Sequence, residues 1–258
     1  MTSAPGGPVY DTIGRGYTTH RRADPRWAGV ISDALGDARR IVNVGAGAGS
    51  YEPIGPGFEV VAVEPSDVML GQRGNGAAPA VRASGTDLPL ASGSFEAALA
   101  VLTLHHWGDW RRGLDELARV ARRRVFLTID FDVHARFWLL ADYLPAVAEA
   151  ERRLRPSPAD IAGVLPVTKA IDLPLPPDLA DGVLGSFWRQ PEAYLDPMVR
   201  ANTSPLALAD PGHVAAGMAR LESDLADGTW RGRYGHLLEL DAYDLGYRLV
   251  VSEEAGAG

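Results

Sequence analysis

Three glycines at alternate positions, Gly45, Gly47 and Gly49, follow directly on the apolar run Ile41-Val42-Asn43-Val44. Glycine has no Cβ and tolerates positive φ, so such a loop turns sharply and lets a ligand lie against bare backbone. Its amide N–H groups suit a carboxylate, a phosphate or a ribose oxygen. The same glycines also serve a plain strand-to-helix turn that packs tightly. Glu64 lies 19 residues after Gly45, at the end of the next strand-like run. A carboxylate there can accept both hydroxyl protons of a ribose held on the loop. Further along, His105-His106 close the apolar stretch 95–103. Imidazoles titrate near neutral pH, which makes both candidates for a general base, with structural packing the competing use. Asp130 and Asp132 are weaker candidates that helix capping or solvation explains better.

The elements that must position these groups are readable from periodicity. Ile41, Val42 and Val44 have the β-branched character of a buried parallel strand. Further strands are expected at 59–63, 80–83, 95–103 and 124–129, with helices at 27–35, 67–72 and 110–121 between or beside them. Pro53 and Gly55-Pro56-Gly57 limit any helix after the glycine loop to a turn or two. Alternating strands and helices imply a parallel sheet with helices on both faces, whose strand C-termini share one edge. The glycines, Glu64, Ser84 and His105-His106 all fall at that edge. Beyond Asp130 the pattern changes. A long helical stretch at 133–154 is divided by Pro145, a strand is expected near 167–173, two short helices between 185 and 199, and a helix opened by Asp210-Pro211. A last strand is expected at 243–251. Residues 1–36 read as an N-terminal cap, 37–132 as the ligand-binding core, 133–235 as an aromatic-rich helical lid, and 236–258 as a return to the sheet.

Bulk properties exclude several classes. A chain of 258 residues with formal charge −8 is a poor general nucleic-acid binder. Cysteine is absent, so disulfides, thiolate metal sites and a cysteine nucleophile are excluded. No acidic cluster points to a metal. No apolar run approaches a membrane span and no basic-then-apolar signal opens the chain, so the expected setting is cytoplasmic, with no membrane partner.

Loop and acid together fit nicotinamide dinucleotides as well as S-adenosylmethionine, since Gly45-x-Gly47-x-x-Ser50 is one residue from the dinucleotide pattern. Segments downstream discriminate. Arg82-Ala83-Ser84-Gly85-Thr86-Asp87-Leu88-Pro89-Leu90, Gly93-Ser94-Phe95-Glu96 and Leu102-Thr103-Leu104-His105-His106-Trp107 resemble the class I S-adenosylmethionine-dependent methyltransferases, in particular the small-molecule group called methyltransferase type 11. Tyr10-Asp11-x-Ile13-Gly14-x-Gly16-Tyr17 and Asp24-Pro25-Arg26 look like one branch of that group. The resemblance implies a Rossmann-like, mostly parallel seven-stranded sheet, S-adenosyl-L-methionine as cofactor and a small-molecule acceptor.

It also implies roles. Gly45, Ala46, Gly47 and Gly49 would face the methionine and ribose, Glu64 would hold the ribose, and Pro65-Ser66 would lie beside the adenine. Ser84 and Gly85 would meet the adenine amino group, Leu102 and Thr103 would line the site, and Tyr10 and Tyr17 would close over it. Trp107, Phe137, Trp138 and Trp188 are candidates for an aromatic acceptor pocket. Asn43, Ala46 and Ser84 depart from the Asp, Cys and Asp common in the family. A nicotinamide-dependent reductase would need a pair such as Tyr-x-x-x-Lys, and Lys169 is the only lysine. A cofactor-binding protein that does not methylate remains a second alternative.

Overall fold

A computed structural model describes residues 10–14 and 21–254. Its centre is a seven-stranded sheet of order β3-β2-β1-β4-β5-β7-β6. The strands are β1 (Arg40–Val44), β2 (Glu59–Val63), β3 (Ala80–Val81), β4 (Phe95–Val101), β5 (Ala121–Ile129), β6 (Val167–Asp172) and β7 (Tyr247–Glu253). The first five pair in parallel, whereas β7 runs antiparallel to both β5 and β6. The expected α/β architecture is present.

Side chains of the central strands alternate between two apolar layers. Val42, Val44, Ala98 and Phe126 meet the helix α4 (Trp110–Val120), which buries Leu114 and Leu117 completely. Burial of one such leucine contributes roughly 2 kcal/mol. Asp109 caps α4 by accepting a hydrogen bond from the Arg112 amide at 3.1 Å. On the other face, Ile41, Leu99, Val125 and Leu127 meet α2 (Pro25–Leu35), which contributes Trp27, Ile31 and Leu35. Asp24 caps α2, Pro25 takes its first turn, and Gly36 at φ +64° ends it. Two shorter helices complete the first half: α1 (Tyr10–Ile13) and α3 (Asp67–Leu70), the latter capped by Ser66.

Several expectations change. No helix forms between β1 and β2, only turns. Pro53 and the Gly55-Pro56-Gly57 run, with Gly55 at φ +140° and Gly57 at φ +102°, leave no helical turn intact. The stretch 133–154 is broken into α5 (Phe131–His134), a π-helical turn at Leu139–Tyr143 and α6 (Pro145–Leu154). The last strand starts at Tyr247, because Gly246 turns the chain at φ +80° and Tyr243 instead pairs with Leu175. The helices after α6 are α7 (Pro158–Ala162), α8 (Pro197–Ala201), α9 (Ser204–Ala207), α10 (Pro211–Ala226) and α11 (Thr229–Tyr234). A 3-10 turn at Pro191–Leu195 replaces the first of the two short helices expected between 185 and 199.

The aromatic residues of this second half pack inward. Phe137, Trp138, Trp188 and Tyr194 are at most 1% exposed and join the same apolar cluster as Ile41 and Val125. Trp138 donates its indole N–H to the Trp188 carbonyl at 3.0 Å. No helix among the described residues is long and apolar enough to cross a membrane.

Candidate active site

The glycine loop is built for closeness. Gly45, Gly47 and Gly49 have φ of +69°, +53° and +93°, where a side chain is strained. A Cβ on Gly45 would also sit inside the Thr103 side chain. The expectation that the loop presents free amides is corrected by its hydrogen bonds. Gly45 and Ala46 both donate to the Val63 carbonyl, at 2.8 and 3.1 Å, and Gly49 donates to Ala46 at 2.9 Å. The Gly47 amide donates to Glu64 Oε2 at 2.8 Å. The loop therefore offers a ligand bare Cα surface more than a nest of donors.

Glu64 is 5% exposed. Its other oxygen accepts from the Ser66 amide at 2.9 Å. Burial raises its pKa above the ordinary glutamate value, opposed by those two backbone bonds and by Arg73. Each carboxylate oxygen keeps a lone pair after its backbone bond. Ser66 Oγ accepts from the Met69 amide at 3.2 Å and donates to Asp11 Oδ1 at 2.6 Å. That bond, with Gln72 Nε2 donating to the Gly14 carbonyl at 2.7 Å, fastens α1 against α3 and holds Tyr10 over the edge of the sheet. The Ser66 hydroxyl is the largest cause of an Asp11 pKa below the usual carboxylate value.

At the end of β4, Leu102 is the one residue other than glycine at positive φ among those described, +49°. That conformation costs roughly 1–2 kcal/mol in an L residue. Thr103 follows, with its Oγ1 accepting from Trp107 Nε1 at 3.1 Å. The Trp107 ring rests on Gly85 and Gly113, where a Cβ would overlap it. The imidazoles of His105 and His106 lie 3.8 Å apart, and the His106 ring meets Tyr10 edge-on at 5.0 Å.

These groups enclose three adjoining cavities. The main one, about 200 Å³, has Gly45, Gly47, Glu64 and Pro65 on one side. Leu102, Thr103, His106 and Trp107 form the other, with Tyr10, Met69 and Val101 completing it. A second, of about 40 Å³, shares Tyr10 and Leu102 with the first and adds His105, Arg21 and Arg155. A third runs along the glycine loop past Asn43, Ala46, Tyr51 and Arg21.

Most of the residues singled out in the sequence thus stand together, but not all. Ser66 is fully buried behind the wall as a helix cap. Gly49 packs toward Glu52, Gly85 lies under Trp107, and Ser84 is exposed with its hydroxyl bonded to Thr86 at 2.8 Å. Ser84 and Gly85 line none of the three cavities. Neither do Phe137, Trp138 and Trp188, whose assignment to an acceptor pocket is corrected: their rings are spent on the core. Tyr17 lies outside the described residues. The second half reaches the site instead through Gly182–Leu184 and Thr203–Pro205. Neither Arg21 nor Arg155 carried a signal in the sequence beyond its charge.

Neither histidine is poised as a base. Burial, then the Arg155 charge, lowers His106 to about 3. His105 is held well below 6.5 by burial, then by Arg155 and His106. Its Nδ1 faces Arg155 Nη1 at 3.1 Å.

A methyltransferase-domain family model matches residues 42–129. A crystal structure from Anabaena variabilis ATCC 29413, named provisionally as a methyltransferase from an antibiotic biosynthesis pathway, superposes with a TM-score of 0.81. It is 31% identical, and the match covers 91% of this chain and 99% of that one. The chain belongs to the class I S-adenosylmethionine-dependent methyltransferases. An uncharacterized methyltransferase of Mycobacterium sp. (strain JLS) is 32% identical over 131 residues, 45% of this chain, and the match spans half the length of that curated relative.

The residues of this methyltransferase fit the family's cofactor, S-adenosylmethionine. Gly47 presents bare backbone where a Cβ would approach the Met69 methyl at 3.2 Å. Glu64 stands beside it with acceptor capacity for hydroxyl donors. His106 Nε2, buried and bordering the main cavity, has no hydrogen-bond partner among the described residues.

Proposed function

We propose that the chain methylates a small-molecule acceptor, with S-adenosylmethionine as donor. When bound, that cofactor supplies an electrophilic methyl group on a sulfonium. Glu64 accepts the ribose hydroxyls, Gly45 and Gly47 give way to the ligand, and Pro65 and Met69 flank the base. Because the amides of Gly45, Ala46, Gly47 and Gly49 are engaged inside the protein, the methionine carboxylate falls to Arg21, which borders the glycine-loop cavity and is itself paired with Asp181. Tyr10 covers the site and excludes water. Leu102 and Tyr10, shared by two cavities, divide donor from acceptor and align them for in-line displacement.

The observation that carries this reading is the contact of the Gly47 amide and Glu64 on the wall of a cavity that abuts a second, smaller one. Titration with S-adenosylhomocysteine and, separately, with NADH tests it. Binding of the first and not the second is expected; the reverse would sink the proposal. Glu64→Ala should weaken S-adenosylhomocysteine binding about tenfold or more, through loss of charge-assisted hydrogen bonds. Unchanged affinity would remove Glu64 from the site.

A further inference from the structure

Among apolar residues such as Leu102, Ile129 and Val183, the smaller cavity is lined by groups that donate hydrogen bonds or carry positive charge. Arg155, Arg21, His105, Thr203 and Ser204 border it; Arg21 is paired with buried Asp181, and the Thr203 hydroxyl donates to the Val199 carbonyl at 2.8 Å. Among the described residues no Asp or Glu lines it. The carboxylate that balances Arg155 stands outside the lining: Glu151, one helical turn earlier, accepts from Arg155 Nε at 2.6 Å and pairs with Nη2. Arg155 is only 7% exposed. A guanidinium has five N–H groups and accepts nothing. The bonds to Glu151 and His105 leave further N–H groups on a side chain that borders the cavity.

The same chemistry settles His105. Because Arg155 can only donate, His105 Nδ1 must accept, and the neutral ring carries its proton on Nε2. His105 therefore offers a donor to its surroundings and has no lone pair left for a base. At about 40 Å³ the cavity has room for a small polar group such as a carboxylate.

We propose that this cavity seats a carboxylate of the methyl acceptor, held by the planar fork of Arg155 and by His105 Nε2–H, so that the substrates are small carboxylic acids. This rests on the methyltransferase reading above and narrows it.

The test uses the full chain saturated with S-adenosylhomocysteine and titrated with acetate, hexanoate and benzoate, each beside its primary amide. At least one acid should bind about tenfold more tightly than its amide, the worth of a charge-assisted hydrogen bond. No acid binding better than its amide overturns the proposal, and that comparison needs no variant. The double variant Arg155→Leu/Glu151→Leu removes both members of the buried pair, so neither charge is stranded. It should erase the preference for acids while S-adenosylhomocysteine affinity stays within about twofold; a preference that survives overturns the role of Arg155. Failure of the unmodified chain to bind S-adenosylhomocysteine would instead refute the methyltransferase reading itself.

Discussion

Asn43 illustrates how one neighbour decides a residue's identity. The family commonly has Asp at this place in the first strand. Here the Asn43 amide donates to Glu52 Oε1 at 3.2 Å, and Glu52, 8% exposed, already accepts from Arg73 and the Ala78 amide. Aspartate would set a second carboxylate against Glu52 with one cation between them. Asn43→Asp should lower unfolding free energy by about 1–3 kcal/mol in urea denaturation, and a compensating Glu52→Gln should recover part of the loss. Asn43 Oδ1 is buried without a partner, on the cavity along the glycine loop. A second outcome at this scale concerns His106. With its pKa near 3 it is too weak a base to drive proton removal near pH 7. His106→Ala should reduce kcat by less than about tenfold; a fall of 10²–10⁴, the usual worth of a general base, would restore that role.

At the scale of elements, glycine substitutions separate intrinsic helix preference from packing. Gly29 lies exposed inside α2 with nothing within 4 Å of a Cβ. Gly29→Ala should stabilise the protein by about 1 kcal/mol. Gly217 lies inside α10, where a Cβ would overlap the Tyr143 carbonyl and come within 2.7 Å of Leu144. Gly217→Ala should destabilise it, and opposite shifts in Tm would show both effects. The same distinction explains what was legible beforehand. The glycine loop, Glu64 and the alternation of strands and helices are constraints of local backbone, written into a few consecutive residues. Phe137, Trp138 and Trp188 were misread because an aromatic stripe looks the same whether it borders a cavity or fills a core. Arg155, Thr203 and Ser204 were missed because only tertiary packing brings two separated segments to Leu102.

For the whole molecule, acidity acts through buried imidazoles. His134 is 2% exposed, and its Nδ1–H meets the Leu245 carbonyl at 2.7 Å. Burial is the first cause that lowers its pKa from 6.5 to about 4. Between those values the unfolded chain binds more protons than the native one, so stability falls as pH falls through that window. At about 1.4 kcal/mol per pH unit, His134 alone removes roughly 2 kcal/mol between pH 6.5 and 5. His134→Asn keeps an N–H donor and cannot titrate, so urea denaturation at pH 7 and pH 5 should show a shallower loss than in the unmodified chain. His105 and His106, depressed in the same direction, preserve the remaining slope.

The place of β7 in the sheet bears on how the molecule is made. Residues 247–253 are synthesised after every other strand, yet they lie between β5 and β6. While they are still inside the ribosome, β5 has an open apolar edge and β6 has no partner. The five parallel strands can assemble as they emerge, but the sheet closes only after translation has passed Glu253. A nascent chain stalled or clipped a dozen residues short of that point would lose two strands at once and expose a sticky edge to its neighbours.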